Sequence, residues 1–337
     1  MANLGFATIE CFAGAPACSH GDPLKAASTA YNRAHHLFAL FLAAVTCLLI
    51  IAGALVTSHN AGLSVPDWPT SFGSLYRMPP MVGGVQYEHG HRMVAEFVGL
   101  LCIVFAVWTW RVDGRRWMRT LGIIVLLAVI GQGILGGVTV LNLLPWEIST
   151  AHATLAQMIF GLMVAMGLAT SRRWRESAPT EAIDSGRPSL RVLSALGVAA
   201  VWIQLILGAA FRHSGMRLLP HIVCAVIVTI LLLWAAMRAL PLSVRIPALA
   251  DPAKGTISIL VFQLMLGFAA YVTRMQWNQG ATPSLGAMVT STVAHVSVGA
   301  LLLAASLVLA IQVYRHVGAT RTALAEDRNE ARQAVGA

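Results

Sequence analysis

Polar and apolar positions along this chain do not follow the one-sided stripe of a surface helix or the alternation of an exposed strand. Long stretches are apolar on every side, and short polar segments separate them. Such runs lie near 36–57, 92–110, 119–141, 150–170, 191–211, 219–239, 256–273 and 287–312. A hydrocarbon layer ~30 Å thick needs about 20 apolar residues per helix. Within it every backbone N–H and C=O must be satisfied inside the segment. The pattern therefore predicts an all-α integral membrane protein, a bundle of eight transmembrane helices.

Composition strengthens this reading. Of the 337 residues, 57% are hydrophobic and 11% charged, with a mean hydropathy of +0.71, which a soluble domain with a polar surface does not reach. The formal charge of +9 would suggest nucleic acid until the basic residues are located. Eighteen of the 23 Lys and Arg fall in the two tails and in alternate loops, and only Arg77, Arg92, Arg212, Arg217 and Arg274 fall on the opposite side. The positive-inside rule then places both termini of the multi-pass chain in the cytoplasm and makes the basic charge a topology signal, with no nucleic-acid partner; a bacterial cytoplasmic (inner) membrane is the expected location.

Residues 1–34 are Gly-, Ala- and Ser-rich, without a basic start leading into an apolar core. They read as a flexible cytoplasmic tail rather than a cleaved signal. Cys11 and Cys18 lie in that tail, and Cys47, Cys102 and Cys224 lie in helices. No outer loop carries a cysteine for a disulfide, and no C-x-x-C-H is present for covalent heme attachment.

A short pattern recurs in odd-numbered helices: Gln132-x-x-Leu135-Gly136, Gln204-x-x-Leu207-Gly208 and Gln263-x-x-Leu266-Gly267, with a weaker echo at Ala52-Gly53. Each is followed by a loop and then a helix that begins near a histidine: His91, His152, His221 or His295. The expected architecture is two parallel four-helix repeats, which pair His91 with His221 and His152 with His295 by symmetry. Small residues at such positions also serve plain helix packing.

Of the 11 histidines, His20, His35, His36, His59, His89, His213 and His316 are expected at water or at the interface. The other four open long apolar runs, where an unpaired polar ring is costly. For any one alone, an interhelical hydrogen bond explains the position equally well. As a set, two pairs of neutral imidazoles suit heme iron, one ring on each face of the macrocycle. Zinc draws its ligands closer together, and a proton relay would mix in buried carboxylates, of which the helix centres hold none except Glu96, expected one turn into the second helix.

The halves differ chemically. Glu88 stands three residues before His91 at the end of the longest outer loop, 58–90, whereas Leu218-Leu219-Pro220 precedes His221. An acid beside one pair and none beside the other suggests chemistry in the first half and a permanent cofactor in the second. Capping of a helix N-terminus is the other reading of Glu88. Arg212 and Arg217 are placed either to face heme propionates or to meet headgroups and solvent.

These residues together resemble the heme A synthase family. The likeness rests on Gly62-Leu63-Ser64-Val65-Pro66-Asp67-Trp68-Pro69, Glu88-x-x-His91-Arg92, Gln132-Gly133-x-Leu135-Gly136-Gly137 before Ala151-His152, and on His221 and His295. The resemblance implies an oxidoreductase that converts the C8 methyl of heme O to a formyl group, through hydroxymethyl and hydrated-aldehyde stages, giving heme A for cytochrome c oxidase. Heme O would be held between His91 and His152 with Glu88 assisting, and heme b between His221 and His295. Heme O synthase, cytochrome c oxidase assembly factors, membrane lipid and a second copy of the chain are the implied partners. The cysteine pair that some members carry in an outer loop is missing here, where Ser71 stands, and the second half lacks a full Pro-Asp-Trp-Pro. The expected division is a tail at 1–34, a heme O half at 35–173, a linker at 174–190, a heme b half at 191–315 and a second cytoplasmic tail at 316–337. The competing assignments are a di-heme b-type cytochrome taking electrons from quinol, and a transporter of parallel repeats.

Overall fold

A computed structural model describes residues 31–75, 77–180, 182–278 and 285–318. The expectations for Cys11, Cys18, His20 and most of both tails lie outside these residues. Eight helices are long and apolar enough to cross a membrane, and the protein is an integral membrane helical bundle. In chain order they are α1 (Arg33–Ser58), α2 (Gly84–Val112), α3 (Arg116–Leu141), α4 (Trp146–Thr170), then the short α5 (Arg172–Glu176), followed by α6 (Leu190–Arg212), α7 (Leu218–Leu242), α8 (Ala250–Asn278) and α9 (Leu285–His316).

Packing closes α1–α4 into one four-helix ring and α6–α9 into another; α1 and α4 meet α9, and α4 also meets α6, along the seam. The first ring fills with Leu42, Phe105, Met118, Phe160, Met163 and Met166. The second fills with Val201, Val228, Leu232, Leu260, Leu302 and Leu303. Apolar side chains on the outer faces of α2, α3, α7 and α8, such as Leu100, Leu127, Ile230 and Phe268, remain exposed, as expected where lipid is the solvent.

Several helices run past the apolar stretches that announced them. Helix α2 begins at Gly84 rather than near residue 92, so His91 lies two turns inside it. The helix starts there because Gly83 adopts φ +57°, a left-handed turn that glycine enters without penalty. Glu96, expected near the start of that helix, lies twelve residues into it and is exposed.

The end of the bundle opposite the histidines is tied by ion pairs. Asp113, fully buried just after α2, accepts from Arg115 Nη2 at 2.7 Å and Nε at 2.9 Å, and from Arg175 Nη2 of α5. In the second ring Asp184 accepts from Arg238 at 2.6 Å and from the N–H groups of Gly186 and Leu190. The segment expected as a plain linker is held in place: Ala182–Ile183 (β1) pairs in parallel with Val317–Gly318 (β2), and Arg315 donates to the carbonyls of Trp174 and Ser177.

His35 and His316 depart from the expectation of a wet environment. His35 Nε2 lies 2.9 Å from Thr109 Oγ1, with its ring stacked on Phe105, and His316 Nδ1 accepts from Thr180 N at 3.0 Å. Each is buried because a fixed partner replaces water.

Candidate functional site

The recurring Gln-x-x-Leu-Gly pattern acquires a physical reason. Each of its glycines faces one of the four histidines across a helix pair. A Cβ at Gly53 would stand 3.1 Å from His91 Cε1; at Gly136, 2.9 Å from His152 Cε1; at Gly208, 2.8 Å from His221 Cε1; at Gly267, 2.9 Å from His295 Cε1. Only a residue without a side chain lets the imidazole lie that close to the neighbouring backbone. The glutamine one turn earlier secures the same histidine: Gln132 Nε2 donates to the His152 carbonyl and Gln263 Nε2 to the His295 carbonyl, both at 3.0 Å. Gln204 Nε2 instead lies 3.3 Å from His221 Nε2.

The rings are thus positioned but not satisfied. Nδ1 of His91, His152, His221 and His295 is in every case buried without a hydrogen-bond partner. Leaving a buried polar atom unpaired costs about 1–3 kcal/mol, so four such atoms at equivalent places argue for rings held ready for something other than protein. His221 and His295 lie with centroids 6.2 Å apart and planes at 82°. An ion bound by one nitrogen of each ring, about 2 Å from each, sets imidazole centroids roughly 6 Å apart. His91 and His152 are near enough for charge on one to act on the other. Among the described residues no three His, Cys, Asp or Glu side chains gather to hold a bare metal ion. The donor sets are pairs of imidazoles, which fit the two axial positions of a heme.

Above the first pair the distinctive loop is folded over the mouth. Glu88, 4% exposed, accepts from Val65 N at 2.8 Å with one carboxylate oxygen and from Arg92 Nη2 at 2.7 Å with the other. Arg92 also donates to the carbonyls of Val65, Asp67 and Thr70. Glu88 therefore sits inside α2 rather than at its cap, and pins the loop as well as standing one turn from His91. Asp67 gathers the loop from within, accepting from Thr70 Oγ1, Phe72 N and Gly73 N. The Thr70 hydroxyl first, with those two N–H groups, outweighs desolvation and holds the Asp67 carboxyl down to about 2. Trp68 lies flat where a side chain at Gly137 would be. Sequence alone did not reveal this lid: tryptophan and glycine are 69 residues apart, and only the double glycine Gly136-Gly137 hinted that two large rings needed room.

The sequence of residues 85–220 matches the profile of the COX15-CtaA family, described as cytochrome oxidase assembly protein. Similar proteins include the heme A synthase of Symbiobacterium thermophilum, 30% identical over 51% of this chain and 57% of that protein. The heme A synthase of Halalkalibacterium halodurans is 29% identical over 47% of this chain and 49% of that protein, and that of Shouchella clausii 38% identical over 26% and 30%. Over these segments the chain is similar to heme A synthases. The match spans about half the length of these curated relatives or less. The profile match covers Glu88, His91, His152 and Gly208, and ends at the residue before His221.

The second pair has a different mouth. Arg212, at the end of α6, reaches across the seam and donates through Nη2 to Ala54 O at 3.1 Å and Ser58 Oγ at 2.7 Å in α1. His213 follows it, half-buried; burial first, then the charges of Arg212 and His152, pull its pKa down to about 4. Trp146, the first residue of α4, covers Gly215 in the same turn. Arg217 is exposed. Arg274, which sequence reasoning did not single out, lies near the end of α8 with Nη1 3.7 Å from Met288 Sδ.

Proposed function

We propose that the chain is a heme A synthase that oxidises the C8 methyl group of heme O to a formyl group, yielding heme A for cytochrome c oxidase. The observation that carries this reading is the pairing of four glycine-seated, unsatisfied imidazoles with a single buried carboxylate beside only one of the pairs. In this reading the half at 35–173 takes heme O as substrate between His91 and His152, and the half at 191–315 keeps a resident heme b between His221 and His295. Both termini and the linker at 174–190 then lie on the cytoplasmic side, and the histidine ends face outward. Partners are heme O synthase and assembly factors of the oxidase, and two copies of the chain can associate in the bilayer.

The residues of the chain have distinct tasks. His91 and His152, fixed by Gly53, Gly136 and Gln132, orient the substrate so that one edge is presented to the loop. Glu88, aimed by Arg92 and Val65 N, supplies a fixed negative group that stabilises positive charge developing at the reacting carbon or accepts its proton. The lid of Trp68 and the Val65–Thr70 strap limits water around the substrate. Heme b would be held by His221 and His295 and would supply one-electron redox chemistry there.

Extraction of the purified protein with acidified organic solvent is expected to yield heme b together with heme O or heme A. Heme b alone, in a host that makes heme O, would favour an electron-transfer cytochrome, and a colourless protein would favour a transporter. Glu88→Gln removes the charge and keeps an acceptor for only one of the two donors, Val65 N or Arg92 Nη2. It is expected to retain both hemes while heme A formation falls about 100-fold, within the range for loss of one positioned acid–base group. Undiminished heme A formation in that variant removes Glu88 from the reaction.

A further inference from the structure

The second ring holds an excess of cations at its histidine end. Between residues 190 and 316 the only acidic residue is Asp251, and it lies in the first turn of α8, at the far end of the bundle. Yet Arg212 and Arg274 both stand near the histidines, and neither forms an ion pair with a carboxylate among the described residues. They converge on one spot. Arg212 bonds to Ala54 O, and Arg274 touches Met288, which packs with Ala54 in one apolar cluster. The charge of Arg274 is felt at Arg212. The half-buried guanidinium of Arg212 and the exposed one of Arg274 repel, and the C-termini of α6 and α8 supply only partial negative charge.

Their register points to what balances them. Arg212 follows Gly208, the seat of His221, by four residues, and Arg274 follows Gly267, the seat of His295, by seven. One and two helical turns keep each arginine on the face of its glycine, displaced toward the histidine end by about 6 and 10 Å. A flat ligand gripped between His221 and His295 extends its edge into that zone. The same offsets in the first ring give Thr57 and Asn60 after Gly53, and Val140 and Leu143 after Gly136. Arg92, the cation nearest the first pair, is fully occupied by Glu88 and three loop carbonyls.

We infer that Arg212 and Arg274 form a carboxylate seat for the two propionates of the porphyrin held by His221 and His295, and that the absence of such a seat among the described residues of the first ring is what makes one heme resident and the other exchangeable. The inference rests on the bis-histidine reading of the second ring. A guanidinium pair matches two carboxylates in charge and in fork geometry. Arg212 in addition carries the seat to Ala54, the residue after the glycine beneath His91, so it also positions the first ring.

The test uses the full chain, purified from a heme-deficient host and loaded with heme b or with heme b dimethyl ester, whose propionates are neutral. Wild type is expected to lose the ester from the second ring at least tenfold faster than heme b on dilution into apomyoglobin. Arg274→Gln, whose only described contact is with Met288, is expected to release heme b about tenfold faster than wild type and to discriminate much less between heme b and the ester. Arg212→Lys should do so to a smaller degree, and Arg217→Gln should match wild type. Equal retention of the two porphyrins by wild type overturns the proposal, and so does unchanged retention in Arg274→Gln. Release that responds to added phosphatidylglycerol rather than to esterification would assign the arginines to a lipid phosphate, again overturning it. If His221→Ala and His295→Ala leave the heme spectrum of the same preparation untouched, the bis-histidine reading itself has failed, and the two failures are distinguishable.

Discussion

On the proposed function, Gly136→Val is expected to lower heme A formation at least tenfold, while the heme b proposed for the second ring stays in place. Even the first carbon of the new side chain would fall 2.9 Å from His152 Cε1, and the two γ-methyls need more room still. Overpacking of this kind costs roughly 1–3 kcal/mol where the neighbours can shift. Here the cheapest shift is rotation of the His152 ring out of its seat, which removes it from the substrate pair. Gly133→Val, one turn earlier in α3, is the control, because nothing lies within 4 Å of a Cβ there. Extracted porphyrins separate the outcomes: heme b retained with neither heme O nor heme A supports the seat. Heme A formed at the normal rate in Gly136→Val would show that His152 does not need it.

The second large effect is on stability rather than chemistry. Asp113→Asn leaves Arg175, whose side chain is 4% exposed, and Arg115 without their buried counter-charge. Breaking one partner out of a buried pair costs about 3–5 kcal/mol, so the denaturation midpoint in detergent should drop by several degrees. Glu176→Gln removes a salt bridge whose side chains are 73% and 51% exposed, and should change the midpoint little, since exposed pairs are worth at most about 1 kcal/mol. Burial tends to raise the Asp113 carboxyl, but the bonds from the Arg115 side chain and backbone, with the charges of Arg115 and Arg175, outweigh it and hold it below the ordinary value. The stability it contributes is therefore complete above the unfolded pKa of about 4. It is lost as pH falls through the lower folded value. Acid titration of the midpoint should show that loss in wild type and a flatter profile in Asp113→Asn. Equal midpoints for the two proteins would mean that Arg175 finds water or another partner.

Much of this architecture was legible before any coordinates. Eight apolar runs translate into eight helices because lipid permits almost nothing else, and the runs lie within α1–α4 and α6–α9. The four histidines were legible as a set because a polar ring in an apolar run needs a reason. Helix ends were less so, since polar residues such as Glu88 and Arg92 can continue a helix beyond the hydrocarbon once they find partners. The reading of His35 and His316 as wet failed for the same cause: a hydrogen bond to Thr109 or from Thr180 is invisible without the fold.

Composition, periodicity and the spacing of Gly and His therefore decided the class of the protein, its spans and the residues of its two pairs, because burial in lipid acts on each segment separately. Tertiary structure decided everything that depends on distant segments meeting. It turned Gln-x-x-Leu-Gly from a packing motif into a histidine seat, and made Glu88 a strut for a loop 23 residues away. It drew Arg212 across the seam onto α1 and brought Arg274 to the same place. Such juxtapositions are set by how helices pack side by side, and the order of residues along one helix carries almost no record of its neighbours.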